Sequence, residues 1–289
     1  MELIKSVDSY CESPKPVSPP RIRKGYYPSA ANCILTNEYG EDETVGKCLR
    51  DSYWSHKSVE KSNPMNARGV RICAVGSMCE RWEVEKYKEM GIWKGNNVKF
   101  FDTDHGISGE VDAFVWDEYK KCLVGVEIKT GYGYQFQSRV IGKPGRKGKP
   151  KPEHLMQVML YMKYFKEIPL FKMVYIDRGN AARAEFNITI DKNSGAGVVD
   201  GNVYSDRLTI PALLNRYQEL GKCLEDGVLP ERDYQLQYSD DHIDFLNDSG
   251  RLSKANTKIW EKKKELELGD WRCSYCDYKD YCWKKEETK

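Results

Sequence analysis

The segment from Gly109 to Gly131 reads GEVDAFVWDEYKKCLVGVEIKTG, two alternating apolar runs around a polar turn. This pattern specifies an antiparallel hairpin of VDAFVW and CLVGVEIK turning near residues 119–120. Asp112 then lies opposite Glu127. Side chains alternate between the faces of a strand. One face carries Asp112, Phe114 and Trp116 with Leu123, Gly125, Glu127 and Lys129. The other carries Val111, Ala113 and Val115 with Cys122, Val124, Val126 and Ile128, and is the expected core face. Directly opposed residues have Cβ atoms about 4.5–5.5 Å apart, where like charges repel. A Mg or Mn ion between the carboxylates reverses that sign. Lys129 points to the same side, where it can polarise a water or stabilise charge on a phosphoryl group. The register is the premise, since a slip of one residue separates the acids. The competing interpretation is a surface hairpin ending in an ordinary Glu–Lys pair, because motifs this short are common.

The rest of the chain surrounds this hairpin with mixed elements. GSMCERWEVEKYKEMG (76–91) reads as a helix with Met78, Cys79, Trp82 and Met90 on or near an apolar face, and 97–103 as a further strand. EHLMQVMLYMKYF (153–165) reads as a helix, LFKMVYID (170–177) and AEFNITI (184–190) as strands. IPALLNRYQELGKCLEDG (210–227) is amphipathic, with Pro near its start and Gly at its end. Residues 240–268 are charged and expected to be helical. The order predicts an α/β fold, a central mixed sheet flanked by helices. At 289 residues, with 40% hydrophobic and 31% charged, the chain is long enough for one large domain or two modest ones. No apolar run approaches the roughly 20 residues that span a bilayer, so no membrane partner is expected. The start, MELIKSVDSYCESPKPVSPP, has no long apolar stretch, which predicts an intracellular protein. The net charge of +2 says little about partners.

Three motifs in order resemble the PD-(D/E)XK nuclease superfamily. Asp112, fourteen intervening residues and Glu127-Ile128-Lys129 are similar to its catalytic core. QVMLY supplies Gln157 and Tyr161, which resemble the Gln-x-x-x-Tyr motif of RecB-like members. Four apart, they share one helix face. VGSMCE resembles the upstream helix, with Glu80 where many relatives carry a metal-binding His. The resemblance covers roughly 45–165 and 270–283. It implies a restriction-endonuclease-like sheet and hydrolysis of DNA with Mg or Mn. Asp112, Glu127, Glu80 and the Ile128 carbonyl would hold the metal. Lys129 would assist attack, and Gln157 and Tyr161 would position the strand or the lysine. It implies exonuclease action on single-stranded DNA. The alternatives are a nuclease-fold subunit of a CRISPR adaptation or recombination complex, or a DNA-binding protein without independent catalysis. The expected organisation is a flexible arm (1–25) and a single nuclease domain (26–289), with its core at 70–190 and a helical, cysteine-bearing region at 205–289.

Ten cysteines without a secretory signal favour metal ligation over disulfides. CSYCDYKDYC places Cys273, Cys276 and Cys282 in a C-x2-C-x5-C run. A tetrahedral metal or iron–sulfur cluster commonly takes four thiolates, so a fourth comes from upstream. The layout resembles the iron–sulfur branch of the superfamily, the CRISPR-associated four-cysteine exonucleases and related RecB-like domains. Cys48, before an Arg and aromatic residues, matches the context of the upstream ligand there, with Cys33 as the other candidate. The resemblance implies a [4Fe-4S] cluster, and spacing alone leaves zinc open. Cys73, Cys79, Cys122 and Cys223 sit in apolar patterns and are expected to be buried.

DNA would be held by the loop after Lys129. GYGYQF offers Tyr132, Tyr134 and Phe136 for stacking on the bases of a single strand. Residues 139–152 carry Arg139, Lys143, Arg146, Lys147, Lys149 and Lys151 for phosphates. A solvated charge run is the plainer interpretation of that loop. No helix-turn-helix or finger is present to read bases, and no GxxxxGK[ST] to drive a motor.

Overall fold

The computed structural model describes residues 3–13, 26–263 and 265–283. The chain divides into two compact units, 1–47 with 66–228, and 48–65 with 229–289.

The first unit is built on a seven-stranded mixed sheet. Its strands are β1 (Trp93–Asp102), β2 (Ile107–Asp117), β3 (Cys122–Gly131), β4 (Phe171–Asp177), β5 (Arg183–Ile190), β6 (Gly197–Val199) and β7 (Asn202–Val203). Their spatial order follows the chain without exception, from β7 to β1. All neighbours are antiparallel except β3 and β4, which run parallel. A parallel pair needs a crossover, and the helix α3 (Pro152–Tyr164) supplies it. The β2–β3 register runs from Ala113 against Val126 to Asp117 against Cys122, which brings Asp112 level with Glu127.

Both faces of the sheet are core. Ala113, Val115, Val124, Val126 and Ile128 pack with Leu170, Val174, Ile176 and Val84. Val84 lies on α2 (Ala67–Glu89), a helix begun by the Asn66 side chain accepting from Gly69 N at 3.0 Å. Phe114 and Val111 join a larger cluster with Phe171, Met173, Tyr175 and the apolar residues of α3 from Leu155 to Met162. Val111 therefore departs from the face expected of it. The acid-bearing face is not a solvent face, because α3, buried continuously from Leu155 to Met162, closes over it. Gly125 makes room there: a Cβ on it would stand 2.2 Å from the Phe171 ring.

The fourth labelled helix, α4 (Ile210–Asp226), buries Leu213, Tyr217 and Leu220 in this first unit. Thr209 caps it, and Gly227 ends it at φ 68°, as its Pro and Gly implied. The lead-in expected to be a flexible arm contains a helix, α1 (Leu3–Glu12). Its acids hold it to the start of α2. The Glu12 side chain accepts from Ala67 N at 3.0 Å, and Asp8 pairs with Arg71. The rest of that expected arm, 14–25, lies outside the described residues.

The second unit is helical among its described residues. It contains helices Leu49–His56, Asp240–Asp248, Lys254–Lys263, Trp271–Ser274 and Lys279–Trp283. The expected helical stretch 240–268 is thus two helices, broken around Gly250 at φ 69°.

Candidate active site

The acids converge where β2 and β3 meet α3. Ile128 N donates to Asp112 Oδ2 at 2.7 Å, which fixes one carboxylate against the next strand. Glu127 is fully buried. Lys129 stands within ion-pairing range of Glu127 Oε1, yet neither Glu127 oxygen receives a well-directed hydrogen bond. A buried oxygen without a donor costs about 1–3 kcal/mol and calls for an explanation. Burial, reinforced by Asp112 and Glu80, drives the Glu127 carboxyl up to about 8. Burial also raises Asp112, against the pull of Lys129 and the Ile128 N–H. Burial works to lower Lys129, but the Glu127 and Asp112 carboxylates outweigh it and leave it raised. Glu80 of α2 is half-buried and raised by burial and by Asp112, which places it in the same electrostatic neighbourhood.

Tyr161 and Gln157 are buried on one face of α3. Gln157 Nε2 donates to the Tyr161 hydroxyl, which donates to the Glu110 carbonyl at 2.9 Å. The pair thereby braces β2 two residues before Asp112. His154 and Tyr175 were not singled out from the sequence. Tyr175 is the cross-strand partner of Lys129, and its hydroxyl meets His154 Nδ1 at 3.0 Å. The spacing of His154, Gln157 and Tyr161, three and then four residues, was the available signal.

Among the described residues, no group of three or more His, Cys, Asp or Glu side chains stands arranged to hold a metal ion by itself. The donor set at Glu127 nonetheless fits a hard cation. The buried Glu127 and the partly buried Asp112 lie side by side, and neither Glu127 oxygen receives a well-directed hydrogen bond.

The loop after Lys129 has more structure than a charge run. Tyr132 and Tyr134 are exposed, and Lys143 lies over the Tyr134 ring. Phe136 is not available for stacking. It is buried, with its ring 5.9 Å from that of Tyr175, because Gly131 leaves space for it. A π-helical turn (Gln137–Ile141) leads into a short hairpin of Gly142–Lys143 with Arg146–Lys147. Arg139 and Arg146 are exposed. Lys147 is already engaged, with Asp200 Oδ2 at 2.7 Å and the Phe186 ring at 4.8 Å.

The second unit contains Cys48, Cys273, Cys276 and Cys282. Cys48 precedes the helix Leu49–His56, whose first N–H is held by Asp233. Cys48 is close enough to Cys273 and Cys276 to affect their ionisation, as Cys282 is to Cys273. Burial raises Cys48 to about 11, and Cys273 and Cys276 to about 12. Arg50 Nη1 and Tyr278 N donate to the sulfurs of Cys282 and Cys276 at 3.7 and 3.4 Å. Donors aimed at sulfur suit thiolates bound to a metal or cluster. Cys33 belongs to the first unit, where it is buried and donates to the Arg207 carbonyl at 3.7 Å. Cys122, Cys79 and Cys223 are partly buried, whereas Cys73 is exposed, against expectation: it lies on α2 outside the packed face.

Comparison with known proteins adds little. No family profile and no curated protein matches the chain. One solved structure, described as "Crystal structure of SSO0001", is 14% identical over 76% of this chain and 83% of that chain, with a TM-score of 0.41. A likeness that distant carries no argument. No helix among the described residues is long and apolar enough to cross a membrane.

Proposed function

We propose that this chain is a metal-dependent DNA nuclease of restriction-endonuclease-like fold, acting as an exonuclease on single strands. The observation that carries this reading is Glu127: a fully buried carboxylate that receives no well-directed hydrogen bond, level with Asp112 and ion-paired to Lys129. With its hydrogen-bonding capacity unfilled, such a group is a liability. Facing a divalent ion, it is a ligand. Asp112, Glu127, Glu80 and the Ile128 carbonyl would hold Mg or Mn. That ion would neutralise phosphoryl charge and make water more acidic at the site. Lys129 keeps its proton and so offers a cation to the phosphate. Gln157 and Tyr161 hold the strand that carries Asp112. Tyr132 and Tyr134 offer rings to unpaired bases, and Arg139 and Arg146 offer charge to phosphates. The four cysteines would hold a [4Fe-4S] cluster, or zinc, in a structural role.

The test uses linear and circular single strands with Mn²⁺, and compares wild type with Asp112→Ala and Lys129→Ala. The expected result is shortening of the linear strand only, with a loss of a hundredfold or more in each variant. Cleavage of circles refutes the exonuclease part. Cleavage that survives both substitutions refutes the site. A wild type that binds DNA and never cuts it is a DNA-binding protein or a subunit dependent on a larger complex.

A further inference from the structure

Lys129 has a strand neighbour whose hydrogen bonds fix the state of a histidine. Tyr175 pairs with Lys129 across β4 and β3 and is fully buried. Its hydroxyl accepts from Lys151 N at 3.0 Å and meets His154 Nδ1 at 3.0 Å. The hydroxyl proton needs an acceptor, and His154 Nδ1 is the one the network provides. Nδ1 is then the accepting nitrogen, and the proton of the ring sits on Nε2. Burial and the nearby Lys129 and Lys151 oppose a second proton, so the imidazole is uncharged. The residue is intermediate in burial and lies on the α3 face that also carries Gln157 and Tyr161.

We infer that His154 presents its Nε2–H as an uncharged donor to a phosphate oxygen of the bound strand, beside Lys129. This rests on the nuclease reading above. It differs from a basic contact in one measurable respect: it adds affinity without releasing a counterion.

The experiment compares wild type, His154→Leu, His154→Gln and Tyr175→Phe in the full-length protein. A fluorescent single-stranded oligonucleotide reports binding with Ca²⁺ and cleavage with Mn²⁺, at pH 6 to 8 and over a range of salt. The expected result for His154→Leu is a Kd and KM raised about tenfold or more, with kcat little changed. His154→Gln, which keeps an N–H at the Nε2 position, restores most of the loss. The slope of log Kd against log salt stays that of wild type, and the wild type/His154→Leu ratio is flat with pH. Tyr175→Phe, freeing the proton to move to Nδ1, lies between. Three results overturn the inference: unchanged Kd in His154→Leu, no rescue by Gln, or a shallower salt slope with a penalty that grows at low pH. The last would mark a cationic contact. If wild type binds the strand without cutting it, the nuclease reading fails and the binding constants alone decide the role of His154. If it does neither, both fall.

Discussion

Replacing Glu127 by Gln tests the burial argument without any nuclease assay. The carboxyl is raised from 4.5 to about 8, first by burial. A carboxyl raised on folding contributes stability that is present at low pH and lost as pH rises through the raised value. Between pH 5 and pH 8, at about 1.4 kcal/mol per unit, that loss amounts to roughly 3 kcal/mol. The pull of the Lys129 ammonium is already contained in that value, and water entering around the ionised carboxylate returns part of the loss, so about half is expected. For a unit of this size, roughly 1–2 kcal/mol is about 3–8 °C in Tm. Thermal melts in EDTA should show wild type losing stability relative to Glu127→Gln as pH rises from 5 to 8. Mn²⁺ at a hundred times its Kd should then return about 2.7 kcal/mol to wild type at pH 8, and little to the variant. A variant whose deficit is the same at both pH values would mean that Glu127 is ionised and well partnered without metal, and the reasoning would be wrong.

The cysteine assignment predicts that Cys48→Ser abolishes bound metal and any visible absorbance, while Cys33→Ser leaves both intact. Metal analysis of the two purified variants decides it. Gly125→Ala should destabilise by about 1–3 kcal/mol, because its Cβ would meet the Phe171 ring. Phe171→Leu should recover part of that loss in a urea-unfolding double-mutant cycle.

Much of the sheet was legible because its signals are local. Alternation over residues 111–128 carried the hairpin, its register and the pairing of Asp112 with Glu127. Pro211 and Gly227 marked the ends of α4 through the backbone chemistry of helix termini. What was illegible depends on partners distant in sequence. The burial of Phe136 is decided by Tyr175 and Gly131, and the engagement of Lys147 by Asp200. Neither contact leaves a periodic trace. α1 has an amphipathic pattern, but it is short, and the Pro-containing stretch after it obscures it; the ties from Asp8 and Glu12 to α2 involve residues some 55 positions or more away. That the acid-bearing face is also core depends on α3, whose packing over Asp112 and Glu127 the alternation within the hairpin does not encode.

The interleaving of the two units also sets an order of events during synthesis. Residues 48–65 belong to one compact unit with 229–289. At about 5–20 residues per second, a ribosome needs roughly ten seconds or more to make the intervening length. The whole sheet can emerge and begin to close while the segment bearing Cys48 is still waiting. Its thiol therefore waits without the segment it packs with until residues 229–289 leave the tunnel.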